Sequence, residues 1–278
     1  MRHRLTQGQR LDVRCDSGVL TCHVWGAETA GPPVLLLHGA SGSWTHWLLN
    51  ILPLVDAGHR VLAVDLPGYG DSDLAPDGSD ADAMAHVLAT VWPELTGGQP
   101  VDLVGFSLGA LVAGRLLAVH AAPARQLVLV GAPAMGVQRR RAYRLQGWRH
   151  LPTADQQLQA HRHNLGALML HDANRIDALA LEIHIANTQR DRLPYRRLSA
   201  SDLLARSLQQ VRCPVHALYG AQDVLYGPDI DKLPAAYAAA ASDFRGLQLI
   251  DDAGHWVQFE APQAFDAALQ QALANGGG

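Results

Sequence analysis

Short runs rich in Val and Leu punctuate the chain at residues 20–25, 34–37, 61–64, 101–104, 127–130, 215–219 and 247–250, each closing near Gly, Pro or Asp. Unbroken apolar runs of this length fit strands covered on both faces, as in a mainly parallel sheet, rather than the alternation of a half-solvated one. Stretches long enough for helices separate most of them, with residues 44–57, 108–120, 228–241 and 262–274 the clearest candidates. Strand alternating with helix predicts an open, doubly wound α/β sheet. The rhythm fails between residues 134 and 212, where no convincing strand occurs and Leu165, Leu168 and Met169 recur at helical spacing. That segment is expected to be a helical cap inserted over the sheet, splitting the core into residues 1–133 and 213–278. The competing reading is a long helical connection whose arginines face solvent.

Charge sharpens the division. Residues 134–212 carry 13 Arg against six Asp plus Glu, whereas the rest of the chain holds nine basic and 20 acidic residues. Over all 278 residues the net charge is −4, so the whole molecule offers no cationic field for nucleic acid or an anionic membrane. The run Arg139-Arg140-Arg141 is accordingly read as a solvated face or a contact with the acidic core. Cys15, Cys22 and Cys213 lie too far apart for a disulfide framework or a zinc site, which points to a reducing compartment and a cytoplasmic location. Residues 1–10 are polar and basic, without the apolar stretch of a secretory signal, and the longest apolar runs are too short or too interrupted to cross a bilayer.

Chemistry concentrates at the carboxyl ends of the expected strands. Residues 101–109 read as a strand running into Gly105-Phe106-Ser107-Leu108-Gly109 and then a helix. A serine at such a junction occupies a strained turn, and small residues two before and two after it let neighbouring backbone approach. Its hydroxyl then sits at a helix N-terminus, where N–H groups meet developing negative charge. Serine needs a base, and among 14 histidines His255 has the right context, in a loop after the last apolar run. Asp223 follows the preceding strand in the same way and is the preferred partner for that imidazole. Asp252, three residues before His255, is the rival acid, although a tight turn suits it to shaping the loop. The loop His38-Gly39-Ala40-Ser41-Gly42 follows the 34–37 strand, and the N–H groups of Ala40 and Leu108 are expected to form an oxyanion hole. His38 is read as tying that loop down. Residues 65–72 imitate the start of a dinucleotide-binding loop but fail at Asp73, and no phosphate loop occurs. No organic cofactor and no metal is therefore expected. His161-x-His163 lacks a third ligand in view and is read as a solvent-facing pair on a helix.

The motifs His38-Gly39, Asp65-x-Pro67-Gly68-x-Gly70-x-Ser72, Gly105-x-Ser107-x-Gly109, Asp223 and Gly254-His255 together resemble those of the α/β-hydrolase superfamily, from about residue 20 to the end. The order Ser, Asp, His is the one that family uses. Serine at the elbow argues against the dehalogenase and epoxide-hydrolase branches, whose nucleophile is Asp. Within the superfamily the chain is similar to the carbon–carbon bond hydrolases of meta-cleavage aromatic degradation and to related esterases, on residues 254–260, Trp44, Trp47 and Asn187-Thr188-Gln189-Arg190. That resemblance implies that Arg190 binds a substrate carboxylate and that Trp256 lines the pocket; Ser41, Trp44 and Phe106 are further candidate substrate contacts by their places beside the oxyanion loop and the elbow, with packing beneath the pocket the alternative for Trp44. Phe106 departs from the pattern, because those enzymes carry Asn beside the nucleophile and an apolar ring cannot replace its hydrogen bond.

The leading expectation is hydrolysis of a small ester or lactone through an acyl-serine. Cleavage of a meta-cleavage dienoate by the same residues is the alternative, and a ligand-binding protein of hydrolase fold is the alternative of another class, against which the intact Ser, Asp and His count. The partner expected is a small-molecule substrate, anionic if an arginine of the insertion faces inward. Arg190 has a competing role as a docking contact with Asp191 or an acid of the core.

Overall fold

All seven apolar runs are strands in the computed structural model, which describes residues 2–16, 18–29, 31–137, 143–193 and 201–275. An eighth precedes them. The strands are β1 (Gln9–Cys15), β2 (Gly18–Trp25), β3 (Val34–Leu37), β4 (Val61–Val64), β5 (Val101–Phe106), β6 (Ala124–Val130), β7 (Val215–Gly220) and β8 (Phe244–Ile250). They form one sheet in the order β1-β2-β4-β3-β5-β6-β7-β8. β1 with β2 and β2 with β4 run antiparallel, and every pairing from β4 through β8 is parallel. The central strands β3, β4 and β5 are buried at every position, as their unbroken apolar sequence requires. β1 alternates instead, with Val13 buried and Gln9, Arg10 and Asp12 exposed, so it offers a period-two signal rather than a run.

The described helices are α1 (Arg2–Leu5), α2 (Ile51–Asp56), α3 (Ala81–Thr96), α4 (Leu108–His120), α5 (Ala154–Asn164), α6 (Ala178–Gln189), α7 (Leu203–Leu208), α8 (Leu233–Ala240), α9 (Val257–Glu260) and α10 (Pro262–Asn275). Among the described residues, no helix is long and apolar enough to cross a membrane. Two expected helices are broken. Residues 44–57 divide into a 3₁₀ turn, Trp44–Trp47, capped by the Ser43 hydroxyl, and the short α2. Residues 228–241 begin as a 3₁₀ turn and become α-helical only at α8, whose first turn holds Pro234, a residue that needs no backbone donor there. α3, not expected from the apolar runs, buries Met84, Leu88, Val91 and Leu95 at spacings of three and four.

Two apolar cores flank the sheet. One joins α3, α4 and α8 to the strands, with Leu111, Leu116 and Tyr237 among its members. The other joins α2, α9 and α10 and also takes in Leu165, Met169, Ile176 and Leu181 of the insertion. The segment 134–212 does not behave as one unit. Leu204 and Leu208 of α7 are buried in the first core, and a Cβ on Gly114 of α4 would meet Leu204 Cδ1 at 2.4 Å. The change from overlying helices to core layer thus falls before Leu203 rather than at 212, because α7 presents its leucines to the small face of α4. The run Arg139-Arg140-Arg141 lies outside the described residues.

Candidate active site

β5 ends at Phe106 and α4 begins at Leu108, leaving Ser107 alone to reverse the chain. It does so at φ 51° and ψ −114°, a conformation that L-residues rarely hold unless their surroundings force it. The surroundings are backbone. A Cβ on Gly105 would lie 2.5 Å from Gly109 O, and one on Gly109 would lie 2.4 Å from Leu37 O, so only glycine allows the elbow to close against itself and β3. Ser107 N–H donates to Val130 O at 2.8 Å, which pins the turn to β6. The hydroxyl stays partly accessible.

The turns after β7 and β8 bring the other two groups to it. His255 Nε2 lies 2.9 Å from Ser107 Oγ, and His255 Nδ1 lies 2.8 Å from Asp223 Oδ2. Both His255 and Asp223 are buried. The second Asp223 oxygen accepts the Leu225 N–H at 2.9 Å, so the carboxylate is fixed at both ends. With Nδ1–H donated to Asp223, the imidazole presents its Nε2 lone pair to the serine hydroxyl, the tautomer a general base needs. Asp252 sits exposed on the turn at φ 53°, a conformation to which Asp is suited, and it is Asp223 that reaches the imidazole.

The loop expected to supply oxyanion donors adjoins Ser107. A Cβ on Gly39 would be 3.2 Å from Ser107 Cβ and 2.9 Å from the Phe106 ring, so the backbone leading to Ala40 touches the elbow. Leu108 opens α4, where the first N–H groups have no helical acceptor. His38 ties this loop down. Its Nε2 accepts the Leu66 N–H at 2.9 Å, leaving Nδ1–H to donate to Gly39 O at 2.7 Å.

The Phe106 ring lies against the imidazole, and further aromatic residues pack beside it. Phe106 is wholly buried with its ring centroid 5.0 Å from that of His255, and Trp256 stacks on Phe259 at 4.2 Å while its Nε1–H donates to His46 O. His46 is buried between Phe106 and Trp256. Loss of hydration and the neighbouring His38, His184 and His255 hold its pKa well below the ordinary histidine range. His184 of α6 is held down to about 4, first by burial and then by His161.

Other residues singled out in the sequence are engaged elsewhere. The Trp44 ring packs on His23 and Trp25, and the Trp44 backbone N–H donates to Asp65. The Ser41 hydroxyl donates to Asp191 Oδ2 at 2.6 Å. Arg190, at the end of α6, pairs with Asp71 of the core, which also holds Arg10. In the structure its guanidinium is thus paired with an acid of the core, the contact named in the sequence as the alternative to carboxylate binding. His161 is buried against Trp148 and His184, not turned to solvent, because this face of α5 packs on α6. His23, Asp65 and Asp71 bring ligand atoms within 4.8 Å of one another, but Asp71 is neutralised by the two arginines and Asp65 accepts the Trp44 and Asp71 N–H groups.

A family model described as alpha/beta hydrolase family matches residues 34–268. The chain belongs to this family. Among curated relatives, a 2-hydroxy-6-oxononadienedioate/2-hydroxy-6-oxononatrienedioate hydrolase of Klebsiella pneumoniae is 26% identical over 282 residues, covering 95% of this chain and 94% of that one. The dihydrolipoyllysine-residue acetyltransferase component of an acetoin cleaving system from Cupriavidus necator is 30% identical over 259 residues, 89% of this chain, which spans 64% of that relative's length. Of solved structures, a carboxylesterase of Bacillus subtilis superposes with a TM-score of 0.79 at 16% identity, over 96% of this chain and 92% of the other, a likeness of fold. This member of the alpha/beta hydrolase family is thus similar in sequence to a hydrolase of 2-hydroxy-6-oxononadienedioate and shares its fold with a carboxylesterase.

Proposed function

We propose that this protein hydrolyses a small ester or lactone through an acyl-enzyme on Ser107. The observation that carries the reading is the continuous path Asp223 Oδ2, His255 Nδ1, His255 Nε2, Ser107 Oγ, with contacts of 2.8 and 2.9 Å. Ser107 Oγ attacks the ester carbonyl as His255 takes its proton, and the Ala40 and Leu108 N–H groups receive the charge that develops on the carbonyl oxygen. The imidazolium, held by Asp223, returns the proton to the departing alkoxide. Water then attacks the acyl-serine with His255 again as base, which releases the acid and restores the serine. Neither step asks for a metal or an organic cofactor.

The second reading, carbon–carbon cleavage of a dienoate, is favoured by the relatives named as such hydrolases across almost the full chain. Two features of the site count against it. Phe106 offers no hydrogen bond beside the nucleophile, and the Arg190 charge is met by Asp71. Turnover of p-nitrophenyl esters of graded acyl length, set beside a meta-cleavage dienoate, separates the readings. Ester turnover with an initial burst of p-nitrophenol is expected; cleavage of the dienoate alone would replace the first reading with the second, and stoichiometric binding without turnover would replace both.

A further inference from the structure

Glu260 is buried at 2% exposure, five residues beyond His255, at the end of the short helix α9. A carboxylate so placed needs donors, and three backbone N–H groups supply them. Gly254 N–H donates to Oε2 at 2.6 Å and His171 N–H to the same oxygen at 3.1 Å, while Asp172 N–H donates to Oε1 at 2.7 Å. One donor belongs to the residue immediately before His255. The other two belong to the strand of chain that leaves the π-helical turn Leu165–Met169 of the insertion. A second link lies on the other side of the histidine, where Trp256 N–H donates to Met169 O at 2.7 Å. The peptide group that follows His255 is thereby hydrogen-bonded to Met169 O, and the one that joins Ala253 to Gly254 is bridged through Glu260 to the N–H groups of His171 and Asp172. The approach is close enough that a Cβ on Gly254 would meet His171 N at 2.8 Å.

We propose that Glu260 is a positioning residue that joins residues 169–172 and the histidine loop 254–256 into one unit, so that the seating of the overlying helices sets the aim of the His255 imidazole. The proposal rests on the reading of His255 as the base. The chemistry of the contact explains the residue type. All three partners are donors, so two accepting oxygens satisfy them, whereas the amide of Gln would turn an N–H₂ toward one of the N–H groups. The packing explains why the link reaches the active site. Leu165, Met169 and Leu170 share an apolar core with Trp256, Val257 and Phe259, so the two segments have no room to slide independently.

The test uses the full chain with a p-nitrophenyl ester. Glu260→Gln should lower kcat roughly 10- to 100-fold and change KM less than about threefold, because the base is misaimed while the binding surface stays. The low-field proton resonance of the His255 Nδ1–H should shift or broaden with it, which a loss of general stability alone would not cause in the folded fraction. Wild-type kcat and an unchanged resonance in E260Q, with Ser107→Ala inert, would overturn the proposal and leave the catalytic reading standing; an active S107A would instead overturn the catalytic reading. Should E260Q fail to fold, hydrogen exchange on the wild-type protein decides. Sulfonylation of Ser107 by phenylmethanesulfonyl fluoride is expected to change protection at amides 169–172 together with 254–256, and a change confined to 254–256 would overturn the coupling.

Discussion

The elbow around Ser107 and the seam where α6 meets the core hold their parts in opposite ways. The elbow is made of backbone against backbone, with a strained φ of 51° and glycines at contact distance from Leu37 and Gly109. The seam is made of side-chain polar groups. Asn187 accepts from Ser43 at 2.7 Å and exchanges hydrogen bonds with Thr45, Asp191 accepts from Ser41, Arg190 pairs with Asp71, and Arg192 donates to Ser72 O. Close packing gives the nucleophile a single position and tolerates no added atom. A polar seam holds by contacts that water can replace, so it secures the overlying helices with less rigidity and lower cost to part.

The largest effect expected is at the reacting groups. Ser107→Ala and His255→Ala should each lower kcat by about 10³-fold or more, with the double variant little worse than either, when measured by initial rates on a p-nitrophenyl ester. Additive losses would mean that the two side chains do not act together. Next comes the elbow's packing. Gly109→Ala should destabilise the protein by about 3 kcal/mol in urea unfolding, since its methyl would sit 2.4 Å from Leu37 O and 2.6 Å from His38 O, and backbone cannot rotate away. A loss under about 1 kcal/mol would show that the elbow has slack.

The seam's helix also predicts a pH effect. Burial holds His184 down to about 4, so the folded state refuses a proton that the unfolded chain takes near 6.5. Stability from this group is complete above pH 6.5 and is lost as pH falls from there toward 4, a loss on the order of 2 kcal/mol after solvent screening. His184→Phe should flatten that part of the acid limb in a pH series of urea midpoints, leaving the slope due to His46 and His161, which burial also lowers. An unchanged slope would place the acid sensitivity elsewhere.

The smallest effects belong to the seam's polar contacts. Asn187→Ala should cost about 1 kcal/mol and show chiefly in KM. Arg190→Ala should cost less than about 1 kcal/mol, as both partners of its ion pair are substantially exposed, at 42% and 37%. The loss in kcat/KM should be equal for a neutral ester and an anionic analogue. A loss confined to the anionic compound would return Arg190 to carboxylate recognition and make the two regions one binding surface.

What could be read in advance follows the same division. The central strands β3, β4 and β5 were legible because a parallel sheet covered on both faces writes itself as unbroken apolar runs, the half-exposed β8 showed only the shorter run 247–250, and α4 was legible because it follows the elbow. The alternation in β1 and the three- and four-residue spacing in α3 were present but quieter, since both elements keep a solvated side. Ser107, Asp223 and His255 were nominated by the turns they occupy, and their spacing in the chain, 32 residues between the last two and 148 between the first and last, says nothing of distance until the strands are paired. The partner of Arg190 was not legible, because Asp191, any acid of the core and a substrate carboxylate were all candidates in the chain, and only the docking of α6 brings Asp71 to it.

By itself, the amino-acid order determined the strands, the strained serine turn and the types of group that meet at the sheet's carboxyl edge, because backbone geometry and burial act locally and leave periodic or motif-like traces. Tertiary structure alone decided which acid reaches His255, where the overlying helices stop and the core layer resumes, and that Arg190 and Ser41 face the seam. It also decided that Glu260, six residues from the Gly254 N–H in sequence, lies across from His171 and Asp172, more than 80 residues away. These outcomes depend on which distant surfaces touch, and a side chain's partner is settled by that contact rather than by its neighbours along the chain.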